Sequence, residues 1–151
     1  MKPQKLLILE ANIDDMNPQW YEPLIDKLLA AVARDVALIP VIMKKSRPGV
    51  IVQALSPGSR RDRLIQILFE ESTTIGVRYY PVNRRTLSRE VRTVQTPYGR
   101  VSVKVARDGS GKVRNISPEH DSCLSAARRN SVPLKTVCQS VLAANRPKGS
   151  Y

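Results

Sequence analysis

Two adjacent carboxylates, Asp14 and Asp15, stand in the stretch Asn12-Ile13-Asp14-Asp15-Met16-Asn17-Pro18-Gln19, between an apolar run and a Pro-started helical pattern. Hard divalent ions take oxygen ligands, and Mg²⁺ or Mn²⁺ on a polyphosphate commonly uses only one or two protein carboxylates, with phosphate and water completing the shell. Asp14 and Asp15 are therefore the metal candidates. Asp is also favoured near helix N-termini for dipole reasons alone, so capping or solvation of the helix start is the competing role. The cationic counterpart is Lys44, Lys45 and Arg47, a short loop whose Pro48-Gly49 allows close backbone approach and suits phosphate. Thr73 and Thr74 offer hydroxyls, and Arg78, Arg84 and Arg85 supply planar forks for oxyanions. No GxxxxGK[ST] pattern is present, so a nucleotide must be held by side chains from several elements instead of one glycine-rich cradle.

The distribution of charge fits that pairing. Of 13 acidic residues six lie in the first 43 positions, against four of the 25 Lys and Arg, so the two parts carry about two net negative and 14 net positive charges. A phosphate chain carrying a divalent ion needs both a cationic cradle and an acidic point. At 151 residues and 42% apolar, the chain has mass for one compact domain or two small ones and is no disordered polybasic tail. No run approaches the roughly 18 apolar residues of a membrane span, and Leu6 to Leu9 is too short for a signal sequence, so the sequence reads as cytoplasmic. Cys123 and Cys138 lack CxxC spacing and His120 is the sole histidine, which argues against a disulfide framework or a permanent soft-metal cage. Both cysteines read as small apolar residues on helices.

Positioning these groups requires an alternation of elements. Lys5 to Ala11 reads as a buried strand, and Asn17 as the cap of a helix with Pro18 first, apolar at Leu24, Ile25, Leu28, Leu29 and Val32 and ending near Ala33 to Asp35. Val36 to Met43 and Val50 to Leu55 read as strands joined by a basic hairpin loop with a Pro-Gly turn. Ser59 with Asp62 resembles a capping box, opening a helix with Ile65, Leu68 and Phe69 buried and its end near Ser72. Gly76 then starts a fourth strand through Val77 and Tyr79. The order βαββαβ predicts an α+β fold, a ferredoxin-like antiparallel sheet with both helices on one face, over residues 1–83.

Residues 84–151 read as an appended β-hairpin and helical segment. Val101, Val103 and Val105 alternate with polar residues, and Thr96-Pro97-Tyr98-Gly99 turns the chain back from a strand around Arg89 to Gln95. Lys112 to Ile116 predicts a third strand. Ser117-Pro118 predicts one helix start, across Cys123, Leu124 and Ala127, and Val132-Pro133 another, with Leu134, Val137 and Val141 on one face. Residues 146–151 read as a frayed tail.

Six motifs together carry a resemblance. Asn12 to Gln19, Met43-Lys44-Lys45-Ser46-Arg47-Pro48-Gly49-Val50, Thr73-Thr74-Ile75-Gly76-Val77-Arg78, Arg84-Arg85-Thr86-Leu87 with Arg89-Glu90, Thr96 to Gly99 and Val132-Pro133-Leu134-Lys135 resemble, in order, the signatures of the C-terminal half of LarC-type nickel insertion proteins. The resemblance covers most of the chain and implies a C-terminal domain, family members having a further N-terminal region absent here. It implies that the whole protein is a CTP-dependent nickel chelatase, inserting nickel, its substrate metal, into a pyridinium-3,5-bisthiocarboxylic acid mononucleotide to complete the nickel-pincer cofactor of lactate racemase. CTP with Mn²⁺ or Mg²⁺ is the implied cofactor, and a homo-oligomer, trimer or hexamer, the implied assembly. His120 and Ser131 depart from the family pattern, which is aromatic and glycine at those positions.

Two other classes compete. A basic ferredoxin-like domain can bind RNA through its sheet, but the chain has seven aromatics and no RNP-like cluster on a predicted strand, Tyr79-Tyr80 being nearest. A regulatory module binding anionic metabolites is the other. Arg60, Arg61, Arg63, Arg128 and Arg129 read as solvated faces, and Trp20 and Tyr21 as packing or subunit contacts.

Overall fold

The computed structural model describes residues 6–144, which divide after Arg84 into two compact units. The tail expected at 146–151 lies outside the described residues. In the first unit the elements are β1 (Leu6–Ile13), α1 (Tyr21–Ala30), β2 (Asp35–Met43), β3 (Arg47–Pro57), α2 (Arg61–Glu71) and β4 (Arg78–Val82). The sheet runs β2-β3-β1-β4 with every neighbouring pair antiparallel. This is the ferredoxin-like βαββαβ arrangement.

Strand periodicity decides which face is covered. Leu9 and Ala11 of β1 pair in register with Ala54 and Val52 of β3, and all four are buried against Leu24 and Leu28 of α1 and Leu64, Ile67 and Leu68 of α2. Both helices therefore pack on one face. The alternate residues Glu10, Asn12, Gln53, Arg78 and Tyr80 fall on the other, which leaves polar groups beside the end of β1 that leads into Asp14.

The second unit holds β5 (Ser88–Thr96), β6 (Gly99–Arg107), β7 (Val113–Pro118), α3 (His120–Arg129) and α4 (Leu134–Ala144). Its three strands are antiparallel in sequence order. Val101, Val103 and Val105 make one side of a core closed by Cys123, Ala126 and Ala127 of α3 and Val137 and Val141 of α4.

Several local expectations are corrected. Pro48-Gly49 is not the hairpin turn; both lie in β3, and the chain reverses at Lys44–Ser46, where Lys45 (φ 60°) and Ser46 (φ 57°) adopt left-handed backbone. Gly49 is required for close approach, since a Cβ there would sit 2.6 Å from Met43 Sδ and 2.8 Å from the Ile13 carbonyl oxygen. Asn17 caps a single 3-10 turn, Pro18–Trp20, that leads into α1, its side chain accepting from the Gln19 amide at 3.0 Å. Ser59 caps nothing: a 3-10 turn, Gly58–Arg60, precedes α2, and Asp62 pairs with Arg61 at 2.7 Å. The buried face of α2 is Leu64, Ile67 and Leu68, leaving Phe69 47% exposed, one residue out of phase with the expectation. Likewise α1 ends at Ala30, before Ala33, and Leu29 and Val32 are exposed. Ser117 and Pro118 close β7 instead of opening α3, which starts after Glu119.

Candidate functional site

The loop after β1 is fixed from beneath: Ile13 and Met16 are buried in the helix-side core, so Asp14 and Asp15 between them are held at the end of the sheet. Together with Glu10, Asn12, Thr73, Thr74, Ile75, Gly76, Val77 and Arg78 they line one cavity of about 540 Å³. Three chain segments meet there: the end of β1, the α2–β4 connection and the start of β4. The Thr73 hydroxyl donates to Asp15 Oδ1. The Thr74 hydroxyl donates to the Gly76 carbonyl at 2.9 Å and holds that connection in a tight turn. Arg47 Nη1 donates to Asp14 Oδ2 at 3.4 Å, tying the base of the basic hairpin to the carboxylate loop.

The sheet face completes the wall. Glu10 accepts from Gln53 Nε2 (2.8 Å), the Tyr80 hydroxyl (2.9 Å) and Arg78 Nε (2.7 Å), while Arg78 Nη2 donates to Asn12 Oδ1 (2.9 Å). The hydrogen bond from Gln53, joined by those of Arg78 and Tyr80 and by the Arg78 charge, holds the Glu10 carboxyl below its ordinary value against the opposing effect of burial. The same bond to Glu10 pushes the Tyr80 phenol up.

Of the residues singled out by sequence, the fold brings Asp14, Asp15, Thr73, Thr74 and Arg78 into one cavity and attaches Arg47 to its edge. Lys44 and Lys45 are exposed on the hairpin turn and do not line it. Arg84 and Arg85 lie exposed between β4 and β5 and do not line it either. Glu10 and Gln53 were not singled out, and Tyr80 was noted only as an aromatic that RNA could use. The signal for Glu10 was a lone carboxylate inside the apolar run Leu6-Leu7-Ile8-Leu9-Glu10-Ala11.

Two carboxylates from one turn, with hydroxyl and amide oxygens beside them, form an oxygen-only donor set suited to a hard cation that keeps other ligands from phosphate or water. Among the described residues no three His, Cys, Asp or Glu side chains gather into a closed metal cage. Trp20 is half exposed beside Pro23, Glu70, Glu71 and Ser72, whereas Tyr21 packs against the first core. Cys123 is buried in the second core, and burial, then its hydrogen bond with Cys138, pushes its thiol up to about 11. It stays a packed, protonated thiol at neutral pH. No helix among the described residues is long and apolar enough to cross a membrane.

Residues 1–138 match the family described as nickel insertion protein. The chain belongs to the nickel insertion protein family. A putative nickel insertion protein of Myxococcus xanthus is 43% identical over 143 residues, 95% of this chain and 36% of that relative. The pyridinium-3,5-bisthiocarboxylic acid mononucleotide nickel insertion protein of Thermotoga petrophila is 41% identical over 140 residues, 93% of this chain and 35% of its own. This member of the family thus spans about a third of the length of the curated relatives it matches. Among solved structures, the apo form of LarC2, the C-terminal domain of a cyclometallase involved in the synthesis of the NPN cofactor of lactate racemase, matches with a TM-score of 0.88 at 36% identity, over 95% of this chain and 98% of that one. A protein of Methanopyrus kandleri AV19 shares the fold, with a TM-score of 0.66 at 23% identity.

Proposed function

We propose that this chain is the nucleotide- and metal-handling part of a nickel insertase acting on pyridinium-3,5-bisthiocarboxylic acid mononucleotide, with nickel as the substrate metal and CTP as the nucleotide. The observation that carries this is the convergence of Asp14, Asp15, Thr73, Thr74 and Arg78 on one cavity, with Arg47 at its edge. Family membership supports nickel insertion as the reaction, and the solved LarC2 domain is a relative whose length this chain matches.

In this reading Asp14 and Asp15 hold Mn²⁺ or Mg²⁺, and the ion supplies charge neutralisation for the phosphates when bound. Arg78 and Arg47 orient phosphate oxygens by charge-assisted bonds, and Thr73 and Thr74 fix the wall of the cavity. Lys44, Lys45, Arg84 and Arg85 belong to the proposal as nucleotide-binding candidates. Association into a trimer or a pair of trimers is part of it too. The supporting feature is edge strand β2, which leaves Leu38, Ile39 and Ile42 exposed in the first unit.

Calorimetric titration of the purified chain with CTP, with and without Mn²⁺, against ATP and a short RNA, tests the reading. Saturable, Mn²⁺-dependent binding that prefers CTP supports it. Salt-sensitive RNA binding without CTP binding overturns it.

A further inference from the structure

Glu10 lines the cavity, yet its carboxylate is turned toward other protein groups. It sits on the open face of the sheet, paired in register with Gln53 of β3 on one side and Arg78 of β4 on the other. Oε1 accepts from Gln53 Nε2 at 2.8 Å and from the Tyr80 hydroxyl at 2.9 Å, and Oε2 accepts from Arg78 Nε at 2.7 Å. Most of its acceptor capacity is thereby engaged, which leaves little for a metal ion. Its side chain is 11% exposed, whereas that of Arg78 is 53% exposed.

The consequence falls on Arg78. A guanidinium is planar and rigid, so a bond from Nε to Glu10 and a second from Nη2 to Asn12 Oδ1 at 2.9 Å fix both its plane and its direction. The Nη1 amino group and the remaining Nη2 hydrogen stay available as a preset pair of donors. We propose that Glu10 is a positioning residue, which through Arg78 holds a guanidinium edge ready for a phosphate-class oxyanion in the cavity. The identity of the ligand rests on the nucleotide reading above; the positioning itself does not.

Simple electrostatics and positioning predict opposite signs. Removing a carboxylate from beside a phosphate site strengthens binding if charge alone matters, and weakens it if the carboxylate orients the binding arginine. The test is a double-mutant cycle at neutral pH on the full chain, with Glu10→Gln, Arg78→Ala and both together, titrated with Mn²⁺-CTP and with inorganic triphosphate. Glu10→Gln keeps the size of the side chain, and melting curves of all three variants check folding. Positioning predicts about tenfold weaker binding in Glu10→Gln and no further loss when Arg78 is already Ala. A merely structural role would lower the melting temperature without that coupling. Unchanged or tighter binding, or effects that add, overturns the inference.

A ligand-free measurement keeps the two readings separable. Solvent exchange of the Arg78 Nε hydrogen, followed by NMR, is slow if Glu10 holds it and becomes fast in Glu10→Gln. Should neither probe bind the wild-type chain, the nucleotide reading falls, and this exchange decides the positioning. Equal exchange in both proteins overturns it, and acceleration in the variant supports it.

Discussion

At the scale of single residues, the candidate site places acid and base side by side, so each substitution there has a signed outcome. Arg47→Ala removes a proposed charge-assisted phosphate contact and is predicted to weaken nucleotide binding by about 1.5–3 kcal/mol. It also frees Asp14 from its partner, so the Mn²⁺ dependence persists in that variant and calorimetry with and without the ion separates the two contributions. Asp14→Asn does the reverse, reducing the affinity gained on adding Mn²⁺ while leaving metal-free binding largely intact. Glu10 carries a pH signature. Its folded-state pKa lies below the ordinary 4.5, so its network stabilises the fold at pH above the unfolded value and that contribution is lost as pH falls through the depressed one. Denaturation midpoints of wild type and Glu10→Gln are therefore predicted to differ most near neutrality and to converge in acid. A gap that persists or widens in acid would refute this assignment. Asp14, Asp15, Thr73, Thr74 and Arg78, which line one cavity, were legible as candidates because their residue types are those that metal and phosphate chemistry uses. The bonds of Gln53 and Tyr80 to Glu10 were not, because they depend on which strands pair, and one strand's sequence does not reveal its neighbour.

At the scale of elements, the type and order of β1 to β4 and of the two helices followed from hydrophobic periodicity, while boundaries and phase did not. The α2 pattern Leu64, Ile65, Ile67, Leu68, Phe69 permits two overlapping apolar stripes, and only packing against β1 and β3 chooses the one that leaves Phe69 outside. The end of α1 was misplaced for a different reason, and α3 closes in the same way. After α1, the Val32 amide bonds to the Leu29 carbonyl and the Ala33 amide to Leu28; after α3, the Ser131 amide bonds to Arg128 and the Val132 amide to Ala127. Both are Schellman ends, with the left-handed position taken by Val32 (φ 74°) and Ser131 (φ 52°), so the usual glycine signal is missing. Left-handed backbone costs a non-glycine residue roughly 1–2 kcal/mol, and glycine gives back roughly 0.5–1 kcal/mol in chain entropy. Val32→Gly and Ser131→Gly are each predicted to stabilise the protein by up to about 1 kcal/mol, read from denaturant midpoints. Gly49→Ala is predicted to act the other way, costing roughly 1–3 kcal/mol through its contacts with Met43 and the Ile13 carbonyl. Because Ile13 leads directly into Asp14, that variant should also lose Mn²⁺-dependent binding, which a purely local defect in the hairpin would spare.

At the scale of the whole molecule, two cores are present, one of β1, β3, α1 and α2 and one of β6, α3 and α4, and the formal net charge is +12. The second core was foreshadowed by the alternation Val101, Val103, Val105 and its third strand by Lys112 to Ile116; the end of that strand and the exact start of α3 were not, since Ser117-Pro118 suits a helix start and a strand end equally. Such a charge destabilises a compact chain by self-repulsion and attracts any polyanion, and salt acts on both. The ion pairs in the structure are mostly half exposed, such as Arg92 with Glu90 and Lys104 with Glu119, and pairs of that kind contribute about 0–1 kcal/mol each and are themselves screened. Relief of repulsion should therefore win, and the melting temperature is predicted to rise as NaCl goes from low millimolar to about 0.15 M, where the screening length is near 8 Å. A fall would mean that the pairs outweigh the net charge. The same titration distinguishes the ligands. Non-specific RNA binding depends on counterion release and should collapse steeply over that range, with affinity falling as a power of salt concentration. A nucleotide held by Asp14 and Asp15 through a divalent ion, and by an arginine whose direction is preset, is recognised by fixed geometry and should lose far less. Equal salt slopes for RNA and Mn²⁺-CTP would reduce the cavity to one more patch of positive surface.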